Sequence, residues 1–224
     1  MRLFVALPVP AGVRRAVGER IEAERGELPP ARWVRPENLH LTLVFLGELA
    51  ADRVPDLVAA LAPAFAAHPT LRLRLAGAGC FPPPPRSGRR RPARVAWIGV
   101  EADGGDEGLR ALQADVAAAA AESVGHRPDD RPWSPHLTLA RPRPPWPARD
   151  ADAFERAFAP PAGEPFVAAR GVLVASELGK GAGGGALYRD VESFALAAAG
   201  GETAAEAGAS ARPAADASAS EAAR

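Results

Sequence analysis

An α+β fold built on antiparallel sheet is what this chain predicts, and three observations carry that expectation. Seven short apolar stretches alternate with the period of a strand, four longer ones carry helical spacing, and the two kinds do not interleave one for one. Strict strand–helix alternation, the mark of a parallel sheet, is absent, so antiparallel sheet flanked by a few helices remains. With 224 residues, 47% of them apolar, there is chain enough for one domain or a compact pair of lobes with a real core.

In order, the first apolar run is Arg2–Leu7, closed by Pro8. It is short for a secretion signal and predicts a first strand instead. Ala11–Arg25 spaces its apolar residues helically, and His40–Leu46 alternates as a strand. Ala51–Ala67 predicts the second helix. Thr70–Ala76, Thr-Leu-Arg-Leu-Arg-Leu-Ala, is the plainest case of period two. A strand at Arg94–Val100, a helix at Glu107–Ser123, a strand at His136–Arg141 and a helix at Asp150–Phe158 follow, then strands at Phe166–Ser176 and Leu187–Leu196. Gly and Pro clusters mark the joins. The folded domain is expected over residues 1–199. Residues 200–224 hold almost nothing apolar larger than alanine, and cannot bury enough surface to offset ordering, so a disordered tail is expected there.

Several function classes drop away. Cys80 is the single cysteine, so no intrachain disulfide can form. No apolar run approaches the roughly 18 residues that a membrane span needs, and a cytoplasmic, monomeric protein is expected. The 27 basic and 27 acidic side chains balance. Four acids and two arginines fall in 200–224, leaving 25 basic and 23 acidic residues, too even to announce a nucleic-acid protein. One stretch is uneven: four prolines, then Arg86, Arg89, Arg90, Arg91 and Arg94 without an acid. It reads as a solvated, proline-stiffened loop, or as a basic arm reaching for phosphate.

The chemistry lies in a duplicated tetrapeptide. His40-Leu41-Thr42-Leu43 recurs as His136-Leu137-Thr138-Leu139, each inside an apolar strand-like run after a Pro-containing turn. Strand side chains alternate faces, so each motif sets an imidazole and a hydroxyl side by side and sends the leucines to the core. Two such pairs facing one another suit attack on a phosphate ester. One imidazole takes a proton from water, the other protonates the departing oxygen, and the threonines donate to non-bridging oxygens. An imidazole pKa near 6.5 lets both protonation forms coexist around neutrality. His68-Pro69-Thr70 repeats the spacing, but Pro69 denies it a regular strand, and His126 sits in a Gly-His-Arg-Pro loop expected at the surface. A zinc site needs three or four well-spaced ligands, which one cysteine and two spare histidines do not supply, so neither metal nor cofactor is expected.

With these motifs the chain resembles the two-histidine phosphoesterase superfamily, and within it the bacterial and archaeal RNA 2′,3′-cyclic phosphodiesterases, long called 2′-5′ RNA ligases. The likeness runs through Arg2–Ala6, Ala31–Gly47, Gly79–Pro82, Arg94–Trp97, Pro135–Arg141 and Ser176–Leu178. It implies two pseudo-symmetric lobes of antiparallel sheet flanked by helices, with the active site in the cleft between them. It also implies hydrolysis of 2′,3′-cyclic phosphate on RNA 3′ ends to 2′-phosphate, with 2′-5′ ligation as the reverse reaction. By the same resemblance His40 is the proton donor to the leaving 3′ oxygen and His136 the proton acceptor. Thr42, Thr138 and Arg141 would bind the phosphate. Phe4 reads first as core and second as a cleft residue. Hydrolysis of small cyclic nucleotides, or RNA binding without catalysis, stand as the alternatives.

Overall fold

The computed structural model describes residues 1–127, 131–159, 164–181 and 185–198; the expected tail and most of the glycine run at 181–185 lie outside them. Nine strands and four α-helices follow in the order β1 (Arg2–Pro8), α1 (Ala11–Glu24), β2 (Ala31–Trp33), β3 (His40–Glu48), α2 (Val54–Ala66), β4 (Leu71–Phe81), β5 (Val95–Ala102), α3 (Glu107–Val124), β6 (His136–Pro142), α4 (Ala148–Ala157), β7 (Phe166–Ala168), β8 (Arg170–Gly181) and β9 (Gly185–Ala195). Each helix buries a stripe of apolar side chains. Leu57, Leu61 and Phe65 of α2 and Leu109, Leu112 and Val116 of α3 recur at three- and four-residue intervals and enter one large core. Gly125 ends α3 in the left-handed conformation, φ 70°, where its N–H reaches back to the Ala121 carbonyl.

The strands form one antiparallel sheet in the order β7-β4-β5-β6-β3-β1-β8-β9, with β2 paired to β6. Its two halves meet where β3 lies beside β6, and the recorded ladder there is a single pair, Leu41 opposite Leu137. One expected strand is two. Phe166–Ser176 breaks at Ala169: β7 pairs with β4 at one end of the strand order, and β8 pairs with β1 near the other. A single residue cannot span an open sheet, so the sheet must curl until its two ends come together. The contact is direct, since Thr70 N–H donates to the Ala197 carbonyl and Leu196 N–H to that of Ala169.

The two faces of the sheet differ. Leu3, Val5 and Leu7 of β1 join the main core with the helices, whereas Phe4 and Ala6 point the other way, into a small cluster with Val172, Val174 and Tyr188. That second face carries the candidate site.

Candidate active site

His40 opens β3 and His136 opens β6. In antiparallel strands the Leu41–Leu137 pairing sets His40 across from Thr138 and Thr42 across from His136, with all four side chains on the face opposite the leucines. The four are half-buried while Leu41, Leu43, Leu137 and Leu139 are buried. The duplicated motif thus folds about a local twofold axis through the leucine pair.

The turn before each motif has a matching task. His40 Nδ1 lies 2.7 Å from the Asn38 carbonyl, and His136 Nδ1 lies 2.8 Å from the Ser134 carbonyl. A carbonyl only accepts, so Nδ1 carries the proton in both rings and Nε2 is left to exchange one. Both turns are themselves held: Asn38 Nδ2 reaches the Ala186 carbonyl of β9 at 3.3 Å, and Trp133, just before Ser134, donates through Nε1 to the Thr42 carbonyl at 3.1 Å.

Aromatic rings enclose both imidazoles. Phe4 stacks on His40 with centroids 4.7 Å apart, and Tyr188 meets it edge-on at 5.4 Å. Phe81 meets His136 edge-on at 5.0 Å, with Trp97 behind at 5.9 Å. Phe4 is therefore buried and also a wall of the site. Trp97 in turn lies against Gly79, where a β-carbon would come within 2.3 Å of the indole. These walls desolvate the rings. Burial pulls the His40 pKa down to about 4, helped by the nearby charges of His136 and Arg141 and opposed by the Asn38 hydrogen bond. Burial lowers His136 as well, with Arg141 adding to it and the Ser134 hydrogen bond opposing. In the free protein burial thus shifts both rings toward the neutral form, away from the even mixture that an unperturbed imidazole would give near neutrality.

Arg141 comes to this face through an irregularity. Strict alternation from His136 would turn position 141 toward the leucine side, but the β5–β6 register slips between Ala96–Ala140 and Trp97–Thr138. Leu139 has no partner in that ladder, so alternation shifts by one and an exposed Arg141 rejoins the histidine face. Its charge acts on His40, His136 and Tyr188 alike. Arg2 and Arg32 also act on Tyr188, so three guanidiniums from β1, β2 and β6 surround that phenol, whose pKa burial raises against them. A cavity of about 280 Å³ is lined by Asn38 and Tyr188, which both contact His40, and by Arg35, Glu37 and Asp190 among others, but by neither histidine itself. A larger hollow of about 670 Å³ between α1 and Pro36–Glu37 likewise lacks both histidines.

The other candidates lie apart. His68 Nε2 pairs with Asp115 of α3 at 2.7 Å, and His126 is half-buried past the end of α3, not fully at the surface. In the basic loop, Arg90 is nine-tenths buried and clamped by Asp152 and Glu155 of α4, while Ala93 bridges to Trp146. That arginine staples the loop and is not part of an arm reaching for phosphate. Cys80 is buried with its thiol pKa pushed up to about 12, which leaves it no nucleophile. Among the described residues no group of three or more His, Cys, Asp or Glu is placed to hold a metal, and no helix is long and apolar enough to cross a membrane.

Sequence reasoning missed Tyr188, Trp97 and Phe81 as members of this face, and also Phe45, which the skipped Leu43 in the β1–β3 ladder turns toward Phe4, 6.0 Å between ring centroids. A signal existed for two of them. Tyr188 is the lone tyrosine, and Trp97 takes the strand parity opposite its small or apolar neighbours Ala96 and Ile98.

Residues 13–175 match the family model described as the 2′-5′ RNA ligase superfamily. The chain belongs to this family. Among curated proteins it is 36% identical to the RNA 2′,3′-cyclic phosphodiesterase of Thermus thermophilus over 66% of this chain and 71% of that one. It is 33% identical to the Escherichia coli K12 protein of the same name, over 72% and 78%. The Geobacillus stearothermophilus protein of that name is 33% identical over 62% of this chain, a match that spans only 41% of the relative's length. Among solved structures, TT0787 of Thermus thermophilus superposes with a TM-score of 0.66 at 32% identity, over 88% of this chain and 99% of that one. Escherichia coli LigT complexed with 3′-AMP does so at 0.61 and 29%, over 87% and 97%. This superfamily member accordingly shares an α+β architecture with those phosphoesterases.

Proposed function

We propose that the protein opens 2′,3′-cyclic phosphate ends of RNA to 2′-phosphate ends by paired-imidazole catalysis, as an enzyme of the RNA 2′,3′-cyclic phosphodiesterase class that its relatives carry. One observation supports this most: two imidazoles related by a local twofold axis, each with Nδ1 committed to a backbone carbonyl and each beside a threonine hydroxyl. In the reaction, His136 Nε2 takes a proton from water as the water oxygen bonds to phosphorus. The bond from phosphorus to O3′ breaks, and His40 Nε2–H gives its proton to that oxygen. Thr42, Thr138 and Arg141 hold the non-bridging oxygens, where charge grows in the transition state. Arginine's fork suits that geometry. No step in this scheme calls on a metal or a cofactor.

The test is hydrolysis of a short RNA ending in 2′,3′-cyclic phosphate, in EDTA, with the position of the product phosphate determined. Formation of 2′-phosphate, reduced about 10²- to 10⁴-fold or more in His40→Ala and in His136→Ala, is the expected result. A 3′-phosphate product would exchange the roles of the two ester oxygens. Undiminished turnover in either variant would sink the acid–base scheme. Activity on cyclic mononucleotides alone would move the substrate class to small cyclic nucleotides.

A further inference from the structure

The two halves of the sheet meet at a seam whose recorded ladder is the single pair Leu41–Leu137, and the site straddles it. With so little backbone pairing, side chains share in setting how one motif stands against the other. Two side chains from the connection between β5 and β6 reach across to β3. Trp133 Nε1 donates to the Thr42 carbonyl at 3.1 Å, and Gln113 Nε2, on α3, donates to the Leu43 carbonyl at 3.3 Å. Leu43 is skipped in the β1–β3 ladder, between Val5–Val44 and Ala6–Thr42, so both donors take hold of β3 where its pairing is disrupted. The β6 half is held by backbone instead. Thr138 pairs with Trp97, and the Leu139 carbonyl accepts from Val34 N–H at 2.8 Å. The indole also acts from a fixed base. The Trp133 carbonyl accepts from Arg110 of α3 at 3.3 Å, and the Pro135 carbonyl accepts from Val100 N–H of β5 at 3.1 Å. The ring itself is half-buried against the main core.

We propose that Trp133 is a positioning residue for Thr42: its indole N–H, with Gln113 beside it, holds the threonine of the first motif from the turn that serves the histidine of the second. This inference rests on the phosphodiesterase reading above, in which Thr42 donates to a non-bridging phosphate oxygen. Trp133 stands three residues before His136 in the chain, yet its one polar side-chain atom is spent on the opposite strand. The hold is applied to the Thr42 backbone. A β-branched side chain is stiff at χ1, so the hydroxyl follows the backbone that carries it. A donor aimed at oxygens that gain charge in the transition state acts on the chemical step more than on binding. Misplacement by about 1 Å at such a contact is enough to lower the rate on the order of 10²-fold.

Trp133→Phe tests this, because it keeps an aromatic ring and removes the N–H donor. On a short RNA ending in 2′,3′-cyclic phosphate, its kcat should fall about ten- to a hundredfold while KM stays within about threefold of wild type. In a Thr42→Val background, followed as single turnovers with enzyme in excess, the same substitution should lower the rate by less than about twofold. In a Thr138→Val background it should keep its full effect. Gln113→Met, which removes the neighbouring donor, should lower kcat with the same dependence on Thr42, and it supplies the cycle if Trp133→Phe does not fold. Equal losses in the two threonine backgrounds would be general loosening and overturn the proposal. An unchanged kcat in Trp133→Phe also overturns it. So does a displaced acidic limb of kcat/KM, which would put the effect on His136 through the Ser134 carbonyl. Wild type that leaves the cyclic ester intact overturns the phosphodiesterase reading, and this one with it.

Discussion

His40 and His136 each spend one ring nitrogen on a backbone carbonyl and sit among aromatic rings that keep water away. The first device fixes which nitrogen exchanges protons; the second sets the pH at which it does so. As the proposed proton donor, His40 has a pKa lowered to about 4 in the free protein, so the proposed scheme requires the bound substrate to recharge it near neutrality. A phosphate anion beside Nε2 favours imidazolium and raises that pKa. The expectation is a shift between two pH profiles. The alkaline limb of kcat/KM, which reports free enzyme, should fall at lower pH than the alkaline limb of kcat, which reports the complex. Coincident limbs would mean that the ester does not charge the acid. At this scale the sequence was informative about one layer. The duplicated His-Leu-Thr-Leu showed which side chains share a face within each strand, since strand parity is local; that the two strands lie side by side comes from the Leu41–Leu137 pairing. Phe81, Trp97 and Tyr188 come from three other strands, and nothing local ties them to a histidine.

Register is what places Arg141 and Phe45, and register belongs to pairs of strands. Counting by twos from His136 sends Arg141 to the core; only the slip at Leu139 against β5 brings it back. The split of Phe166–Ser176 has the same character: the apolar pattern runs on through Ala169, and only the change of partner from β4 to β1 ends one strand and begins another. β2, three residues long, shows no period at all. Helices were easier, because their apolar stripes are internal to each segment, and all four lie within a few residues of the expected bounds. The basic loop yields a prediction here. Arg90, itself little exposed, fastens it to α4 through the partly exposed carboxylates of Asp152 and Glu155, so Arg90→Ala should cost about 1–2 kcal/mol. Thermal melting would show this as a drop of several degrees. Turnover by the folded variant should stay close to wild type, and a large loss of activity at unchanged melting temperature would assign the loop to the substrate instead.

For the molecule as a whole, the buried neutral histidine makes stability depend on pH. The folded pKa of His40 lies below its unfolded value near 6.5, so the unfolded chain binds the extra proton. Stability from this residue is fully present above about pH 6.5 and is lost as pH falls toward 4, to an extent of about 3 kcal/mol. Denaturant titrations at pH 7.5 and 4.5 should show that loss in wild type and a smaller one in His40→Asn; equal losses would remove His40 as the cause. The order of strands could not be read from the chain. It is set by which apolar faces share one core, and by the curl that brings β4 and β9 together.

That curl has a consequence for the order of assembly. Among the described strands β1 comes first in the sequence, yet it lies inside the sheet between β3 and β8, and β8 does not begin until Arg170. Phe4, which walls His40, therefore faces Val174 across a ladder that closes only once β8 has been made. Pairings between such distant segments are slow to form. A nascent chain lacking β8 and β9 carries both histidines and Phe4, but neither Tyr188 nor the Val172 and Val174 that Phe4 packs on, so the desolvated surroundings of His40 are completed late, when β8 and β9 dock.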